Sequence, residues 1–493
     1  MFLSRALPLV ALLGMSACGA SSDASQASGD AGALPSGDAA RPSAQEQEAG
    51  ADGGTIPIDA GRPRADAPSI PCTDAVTDVY VTPVLPPMSA LRRGDVVRCA
   101  PDTALSQADV QTTVAGKGIP TKATSGTTMY RIAFRTERGD GSAGVSSARV
   151  YLPDTPKSLP LPVVVVAHPT TGISASCTPS KDESSLRDLA LPWAGLGYAV
   201  IAPDYAGLGS EGVQGYQDNR DTAQSTLDGA RALRKMLSPG TLTSKVLLVG
   251  YSQGGGAALS AQALEKTYGC DGKLAGVITF APQWASRLNS FGYVSMLRTP
   301  DALTVASGLM KSEVAVLRAY AYFANYVGLA HAADGFPAAG RTSLAGGVTS
   351  LCDTPLGGFI QGTAFFVRDL VDDTLRTSLL ACIDSSGTTC AEPGKSYYAF
   401  LKRNILTADL TGAPVLIVQG LADQIMVPAE EAACNIAKLQ ADGVTPQVCT
   451  DAPAVHTSVV SRNMDFAIKW GTAKLEGTEV PSCSADGMPE CTP

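Results

Sequence analysis

A serine hydroxyl is a poor nucleophile at neutral pH unless a neighbouring base takes its proton. Ser252 sits in Gly250-Tyr251-Ser252-Gln253-Gly254, between the apolar run Val246 to Val249 and a helix-like stretch from Gly255 to Tyr268. A Gly-x-Ser-x-Gly pattern is weak by itself. Between a buried strand and a helix it describes a sharp turn that lifts the hydroxyl above a sheet, and its glycines leave room for the packing such a turn forces. A phosphate-binding loop would need a lysine after the glycines, and none follows. The plain alternative is a glycine-rich strand-to-helix turn without chemistry.

The base must be a histidine, and the chain has only three: His168, His331 and His456. On such a scaffold the order is serine, acid, histidine. Asp423 follows the strand-like run Pro414 to Gly420, in "QGLADQIMVP", and His456 is the only histidine after it. Asp451 is the rival acid, but no long buried strand precedes it. His331 falls in a helical stretch and reads as structural. In this arrangement His456 takes the proton from Ser252, and Asp423 orients the imidazole and stabilises its cation. The oxyanion then needs backbone donors. One is the amide of Gln253. The second is expected in His168-Pro169-Thr170-Thr171-Gly172; Pro169 has no N–H, which leaves Thr171 or Gly172. Asp204, in "PDYAGLG", reads as a turn-forming residue after a strand.

The elements that must position these groups are legible as well. Tyr130 to Phe134 and Ala148 to Leu152 read as a strand pair around "GDGSAG". Pro162 to Ala167, Ala199 to Pro203, Val246 to Val249, Val277 to Phe280 and Pro414 to Val418 are continuous apolar runs, the pattern of strands buried on both faces. Pro446 to Cys449 is a shorter strand-like piece. Helical stretches lie between them at Ser185–Leu196, Thr222–Met236, Gly255–Tyr268 and Ala429–Ala441. The expectation is an α/β fold with a mostly parallel central sheet flanked by helices. From about Gln283 to Leu410 no comparable strand occurs. "EVAVLRAYAYFANYVGLA" and "GGFIQGTAFFVRDLVDDTLRTSLL" are helical in spacing there, as a cap inserted before the strand that carries the acid.

Composition narrows the setting. The chain has 493 residues, 17% of them charged, and a net charge of −9 without a basic run, which excludes nucleic acid as a partner. No stretch reaches the ~18 apolar residues of a membrane span. Twelve cysteines point to an oxidising compartment. Met1 to Arg5 is a basic start and Ala6 to Met15 a short apolar core. Met15-Ser16-Ala17-Cys18 then resembles the lipobox of bacterial lipoproteins, which makes Cys18 the expected lipidation site and a membrane the expected partner. An ordinary signal peptide cut nearby is the alternative. Without Cys18 the remaining cysteines are odd in number, so at least one is free or paired to another chain. The expected organisation is 1–18 signal peptide, 19–71 an Ala/Gly/Ser/Pro-rich disordered tether, 72–282 first part of the core, 283–410 cap, 411–475 second part and 476–493 tail. CxxC and clustered Cys/His spacings are absent, so neither metal nor cofactor is expected. Oligomeric state is left open.

Over roughly Asp78 to Trp470 the chain resembles the secretory lipase family of α/β-hydrolases. The resemblance rests on "VYVTPVLPPMSALRRGDVVRC", "YRIAFRT…ARVYLP", "AHPTTG…CTPS", "GYAVIAPDYAGLGSEG", "DGARALRK", "GYSQGGGAAL" and "QGLADQIMVP", in that order. It implies an α/β-hydrolase fold, a Ser252-Asp423-His456 esterase triad, and a helical cap over an acyl pocket. Pro169 departs from the glycine the family often has after the histidine. The resemblance also suggests disulfides, with Cys177–Cys352 and Cys434–Cys449 as candidate pairs; Cys382–Cys390 and Cys483–Cys491 are close enough in sequence for each to close a small loop, and sequence settles no connectivity. The resulting expectation is an exported, lipid-anchored hydrolase of acyl esters. A peptidase of the same fold and a non-catalytic lipid-binding lipoprotein are the alternatives.

Overall fold

The computed structural model describes residues 67–182, 186–284, 297–298, 306–364 and 366–492. The expected signal peptide, Cys18 and nearly all of the tether lie outside the described residues.

Nine strands form one sheet: β1 (Val96–Leu105), β2 (Thr127–Glu137), β3 (Ala143–Pro153), β4 (Leu161–Ala167), β5 (Ala199–Pro203), β6 (Leu242–Tyr251), β7 (Lys273–Phe280), β8 (Val415–Gly420) and β9 (Gln447–Asp451). Their order is β1-β2-β3-β5-β4-β6-β7-β8-β9. β1, β2, β3 and β5 pair antiparallel, and every pairing from β5 through β4 to β9 is parallel. The sheet therefore has the mixed but mostly parallel character of an α/β-hydrolase.

The continuous apolar runs are explained by two cores. In β4, Val163 and Val165 enter one and Val164 and Val166 the other; in β6, Val246 and Leu248 oppose Leu247 and Val249 in the same way. Alternation along a strand sends successive side chains to opposite faces, so both faces must be apolar. The first face is covered by α4 (Asn219–Met236) and α5 (Gln253–Tyr268), through Leu227, Leu233, Ala258 and Leu264. α1 (Gln107–Gly116), α3 (Arg187–Ala194) and α12 (Val459–Glu476) cover the second, with Trp193 and Trp470 buried at its centre. The short α2 (Pro179–Asp182) follows the loop after β4.

Between β7 and β8 the described residues are helical: α6 (Ala306–Tyr322), α7 (Arg341–Ser350), α8 (Asp353–Thr363), α9 (Asp373–Asp384) and α10 (Gly394–Arg403). They have a core of their own, including Leu317, Phe336, Leu344, Leu375 and Leu401. The apolar stretch that reads as continuous from 357 to 380 is broken. α8 stops at Thr363, and Asp372 restarts the chain as the N-cap of α9 by accepting from the Thr374 and Leu375 amides. After β8, α11 (Ala433–Ala441) leads to β9. No helix among the described residues is long and apolar enough to cross a membrane.

Cys177–Cys352 and Cys382–Cys390 are bonded as expected. Two expected pairings are corrected: Cys434 bonds Cys491 and Cys449 bonds Cys483. The reason is the path of the chain's last residues, which turn back over β9 and α11. The Gln447 side chain donates to the Pro481 carbonyl at 2.8 Å, and the Thr492 amide donates to the Ala429 carbonyl at 3.1 Å. Cys72–Cys99 is a further bond, and Cys270 is free and buried.

Candidate active site

Strand β6 runs directly into α5, and Ser252 occupies the junction at φ 53°, a conformation that non-glycine residues rarely hold. Its backbone is fixed on both sides: its amide donates to the Phe280 carbonyl at 3.0 Å, and its carbonyl accepts from the Gln283 amide at 2.8 Å. A side chain at Gly250 would run into the Gly254 carbonyl, and one at Gly254 into the Ala167 carbonyl at the end of β4. The turn therefore needs glycine at both positions, for steric room.

The structure brings the three sequence-predicted side chains together. His456 Nε2 lies 3.0 Å from Ser252 Oγ, and His456 Nδ1 lies 2.7 Å from Asp423 Oδ2. A carboxylate can only accept, so the proton belongs on Nδ1 and the Nε2 lone pair faces the serine hydroxyl. Asp423 follows β8 and is 3% exposed; its Oδ1 accepts from the amides of Ile425 at 2.8 Å and Met426 at 2.9 Å. Gln419, the penultimate residue of β8, donates to Oδ2 at 3.4 Å. These donors fix the orientation of the carboxylate. His456 is buried at the start of a short 3₁₀ turn that opens into α12; the Tyr251 hydroxyl donates to its carbonyl at 3.0 Å, with the two rings 5.0 Å apart. Asp451, the rival acid, is instead held by Arg462 at 2.7 Å and by Asn463.

Gln253 is the first residue of α5, so its amide has no carbonyl partner within the helix. Its carboxamide is buried with neither nitrogen nor oxygen partnered. The second candidate donor segment follows β4 and is held from several sides. His168 contacts the Pro169 carbonyl through Nδ1 at 2.6 Å and the Asp204 carbonyl through Nε2 at 3.1 Å. Burial pushes this imidazole down to about 4, so it is neutral at physiological pH. The hydroxyls of Thr170 and Tyr216 share a hydrogen bond of 2.9 Å. The Thr171 carbonyl accepts from the Asp353 amide at 3.2 Å, and Gly172 turns at φ 100° against the Cys177–Cys352 disulfide.

Asp204 is a buried brace in addition to being a turn residue. It accepts from the hydroxyls of Ser147 at 2.6 Å and Ser180 at 2.5 Å, and burial raises it to about 6. His331 is exposed on the helical insertion, 2.8 Å from Asp334. Two acidic residues near the site, Glu313 and Asp353, were not singled out in the sequence; nothing in their local pattern separates them from helix-surface carboxylates. No cluster of residues able to hold a metal ion occurs among the described residues.

Residues 189–284, which include α3, β5, α4, β6, the Ser252 turn, α5 and β7, match the family model described as secretory lipase. The resemblance to that family is borne out. Among solved structures, Candida antarctica lipase A in its closed state is similar at TM-score 0.59 with 16% identity, covering 81% of this chain and 87% of that one. The ligand-bound rice cell wall degrading esterase LipA from Xanthomonas oryzae aligns at TM-score 0.57 and 19% identity, over 78% of this chain and 97% of its own. A putative hydrolase from Legionella pneumophila aligns at 0.56 and 16%, over 78% and 100%. Each of these likenesses is one of fold. Among curated protein sequences, none matches this chain.

Proposed function

We propose that this chain is an exported serine hydrolase that cleaves carboxylic esters, with acylglycerols or similar acyl esters as the substrate class. One observation carries the reading: the hydrogen-bonded run from Asp423 through His456 to Ser252. The secretory lipase match across the serine turn supports an ester over other acyl compounds.

In the proposed cycle Ser252 Oγ attacks the ester carbonyl carbon while His456 Nε2 takes its proton. The carbonyl π bond opens, and the oxyanion is met by the amide of Gln253 and by that of Thr171 or Gly172. Collapse breaks the bond to the alkoxy oxygen, which leaves with the proton from His456, and the acyl group stays on Ser252. Water then repeats the steps: His456 takes its proton, the acyl–oxygen bond to Ser252 breaks, and Oγ recovers the proton as the carboxylic acid departs. Asp423 keeps the imidazole in the required tautomer throughout. The disulfides suit an oxidising compartment. Cys18 remains the proposed anchor, and Cys18→Ser should move the protein from the membrane to the soluble fraction.

A fluorophosphonate probe followed by an ester series tests the reading. Labelling of wild type, absent in Ser252→Ala, and turnover of nitrophenyl esters are the expected results. A folded wild type that takes no label would instead indicate a binding protein. Faster cleavage of aminoacyl amides than of esters would make it a peptidase.

A further inference from the structure

A cavity of about 590 Å³ lies against β1, closed by Arg135 of β2, Lys235 of α4 and residues that precede β1 in the chain. Its charged lining is unbalanced: Arg92, Arg98, Arg135 and Lys235 are set against only Asp74 and Asp95. Asp95 lies 2.8 Å from Lys235 and 3.8 Å from Arg92, and Asp74 lies 3.4 Å from Arg98. Neither carboxylate pairs with Arg135. This side chain is 2% exposed, and its Nη2 donates to the Pro86 carbonyl at 2.7 Å. Its Nε and Nη1 atoms are buried with no partner, and so is the Nε of Arg98. An arginine cannot shed its proton. Arg135 therefore holds a buried charge that one carbonyl answers only in part, which is costly unless a further acceptor is supplied.

We propose that this cavity binds a phosphate monoester group, with Arg135 as the central donor and Arg92 and Arg98 beside it. The charge count selects the class. Four cations against two carboxylates leave two positive charges, and a phosphate monoester brings about 1.5–2 negative charges at pH 7 with three acceptor oxygens. A carboxylate would match only one of the two. Guanidinium groups suit the task because their planar donors fit phosphate oxygens and are less strongly hydrated than an ammonium. An oxygen reaches the unpartnered Arg135 nitrogens beside the Thr82–Met88 segment; Pro83, Pro86 and Pro87 have no N–H, so few backbone bonds resist a shift of this cover.

Val84 and Leu91 are exposed next to residues of the lining, so a phosphate carried on a lipid and a free phosphate ester both present the required group. In the sheet order β2 stands four positions from β6, about 19 Å at the usual strand spacing. The inference goes beyond the hydrolase reading and does not depend on it.

The test follows the melting temperature of the full chain at pH 7.5 as inorganic phosphate replaces potassium chloride at constant ionic strength. Phosphate stabilises folded proteins in general, so the signal is the difference between wild type and Arg135→Met. Wild type should gain stability saturably, as a ligand that binds only the folded state requires. In Arg135→Met the apparent affinity should fall about tenfold or more, the worth of a charge-assisted hydrogen bond. Without phosphate the same variant should melt no lower than wild type, because an apolar chain of similar length replaces an incompletely paired buried charge. A wild type that gains no more from phosphate than Arg135→Met overturns the proposal.

Should Arg135→Met fail to fold, Arg92→Gln decides. Arg92 is 45% exposed, so its loss should weaken phosphate about two- to fivefold and leave the fold intact; an unchanged affinity rejects the site. Vesicles then distinguish the source. The full chain carrying Cys18→Ser and Ser252→Ala, which can neither anchor nor consume lipid, is sedimented with phosphatidylcholine vesicles with and without phosphatidic acid. Binding that needs both phosphatidic acid and Arg135 assigns the site to a lipid-borne phosphate. A saturable phosphate response without vesicle binding assigns it to a free phosphate ester.

Discussion

Replacing Gly172 by alanine separates the geometry of the proposed oxyanion loop from its stability. Gly172 sits at φ 100°, where a side chain costs about 1–3 kcal/mol. Its Cβ would lie 3.2 Å from Cys177 Sγ, 3.2 Å from Cys352 Cα and 3.3 Å from the Leu351 carbonyl oxygen. Those separations are a few tenths of an ångström inside the ~3.5–4.0 Å optimum of non-bonded contacts. The two cysteines are bonded to each other, so neither yields alone. The cheaper relief is rotation of the Thr171–Gly172 peptide, which re-aims its N–H. If that N–H is the second oxyanion donor, kcat falls about 10²–10³-fold with KM nearly constant. Gly118→Ala is the control. Gly118 has φ 73° and nothing within 4 Å of its would-be Cβ, so it bears similar backbone strain, roughly 1–2 kcal/mol, far from any donor role. Melting temperature and ester kinetics are measured for both. Gly118→Ala should lose stability and keep kcat. A Gly172→Ala protein that is equally destabilised yet turns over at the wild-type rate would refute this loop as the second donor.

Asp423→Asn should lower kcat by about 10⁴, because an amide in place of the carboxylate favours the wrong imidazole tautomer, and fluorophosphonate labelling should slow in parallel. Gly358→Ala, on the exposed face of α8 with nothing within 4 Å, should raise stability by about 0.5–1 kcal/mol in denaturant titration without altering kinetics. Cys270 is buried, and burial pushes its thiol up to about 11. Peptide mapping should find it alkylated only after denaturation, and the ten disulfide-bonded cysteines only after reduction as well.

What could be read in advance follows a physical rule. Runs such as Pro162 to Ala167 are apolar at every position because both faces of the strand are covered, and that pattern survives without any knowledge of partners. The Ser252 turn was visible because sterics restrict its sequence to glycine on both sides. β1 is hard to read in sequence: it contains Pro101 and Asp102, its register shifts twice, and Asp102 is paired with Arg131 of β2 and Arg149 of β3. α12 escaped for a related reason. Its apolar residues gain meaning only against the β6–β8 face, where Trp470 packs beside Leu247 and Ile278. The Cys434–Cys491 and Cys449–Cys483 pairing depends on where the tail crosses β9, which sequence proximity misjudged.

Parallel topology also explains why the helical insertion bears on the serine site. β4, β5, β6, β7, β8 and β9 run the same way, so the residues after each collect along one edge of the sheet. His168, Asp204, Ser252, Asp423 and Asp451 all sit on that edge. The insertion leaves from the end of β7, on the same edge, and its residues come to rest there. Polar ties then join it to the core around the N-terminus of α4, among them Arg138 to Asn325 at 3.1 Å, Tyr326 to Asp218, Arg403 to Asp218 at 3.4 Å, and Asn219 to Asn404 at 2.7 Å. The Cys177–Cys352 bond adds a covalent tie beside Thr171 and Gly172. The start of α8 therefore cannot swing away from Thr171 and Gly172 as a hinged lid without breaking that bond. Any movement of the insertion has to pivot about this bond, which would keep the Thr171–Gly172 segment in place while the rest of the insertion shifts.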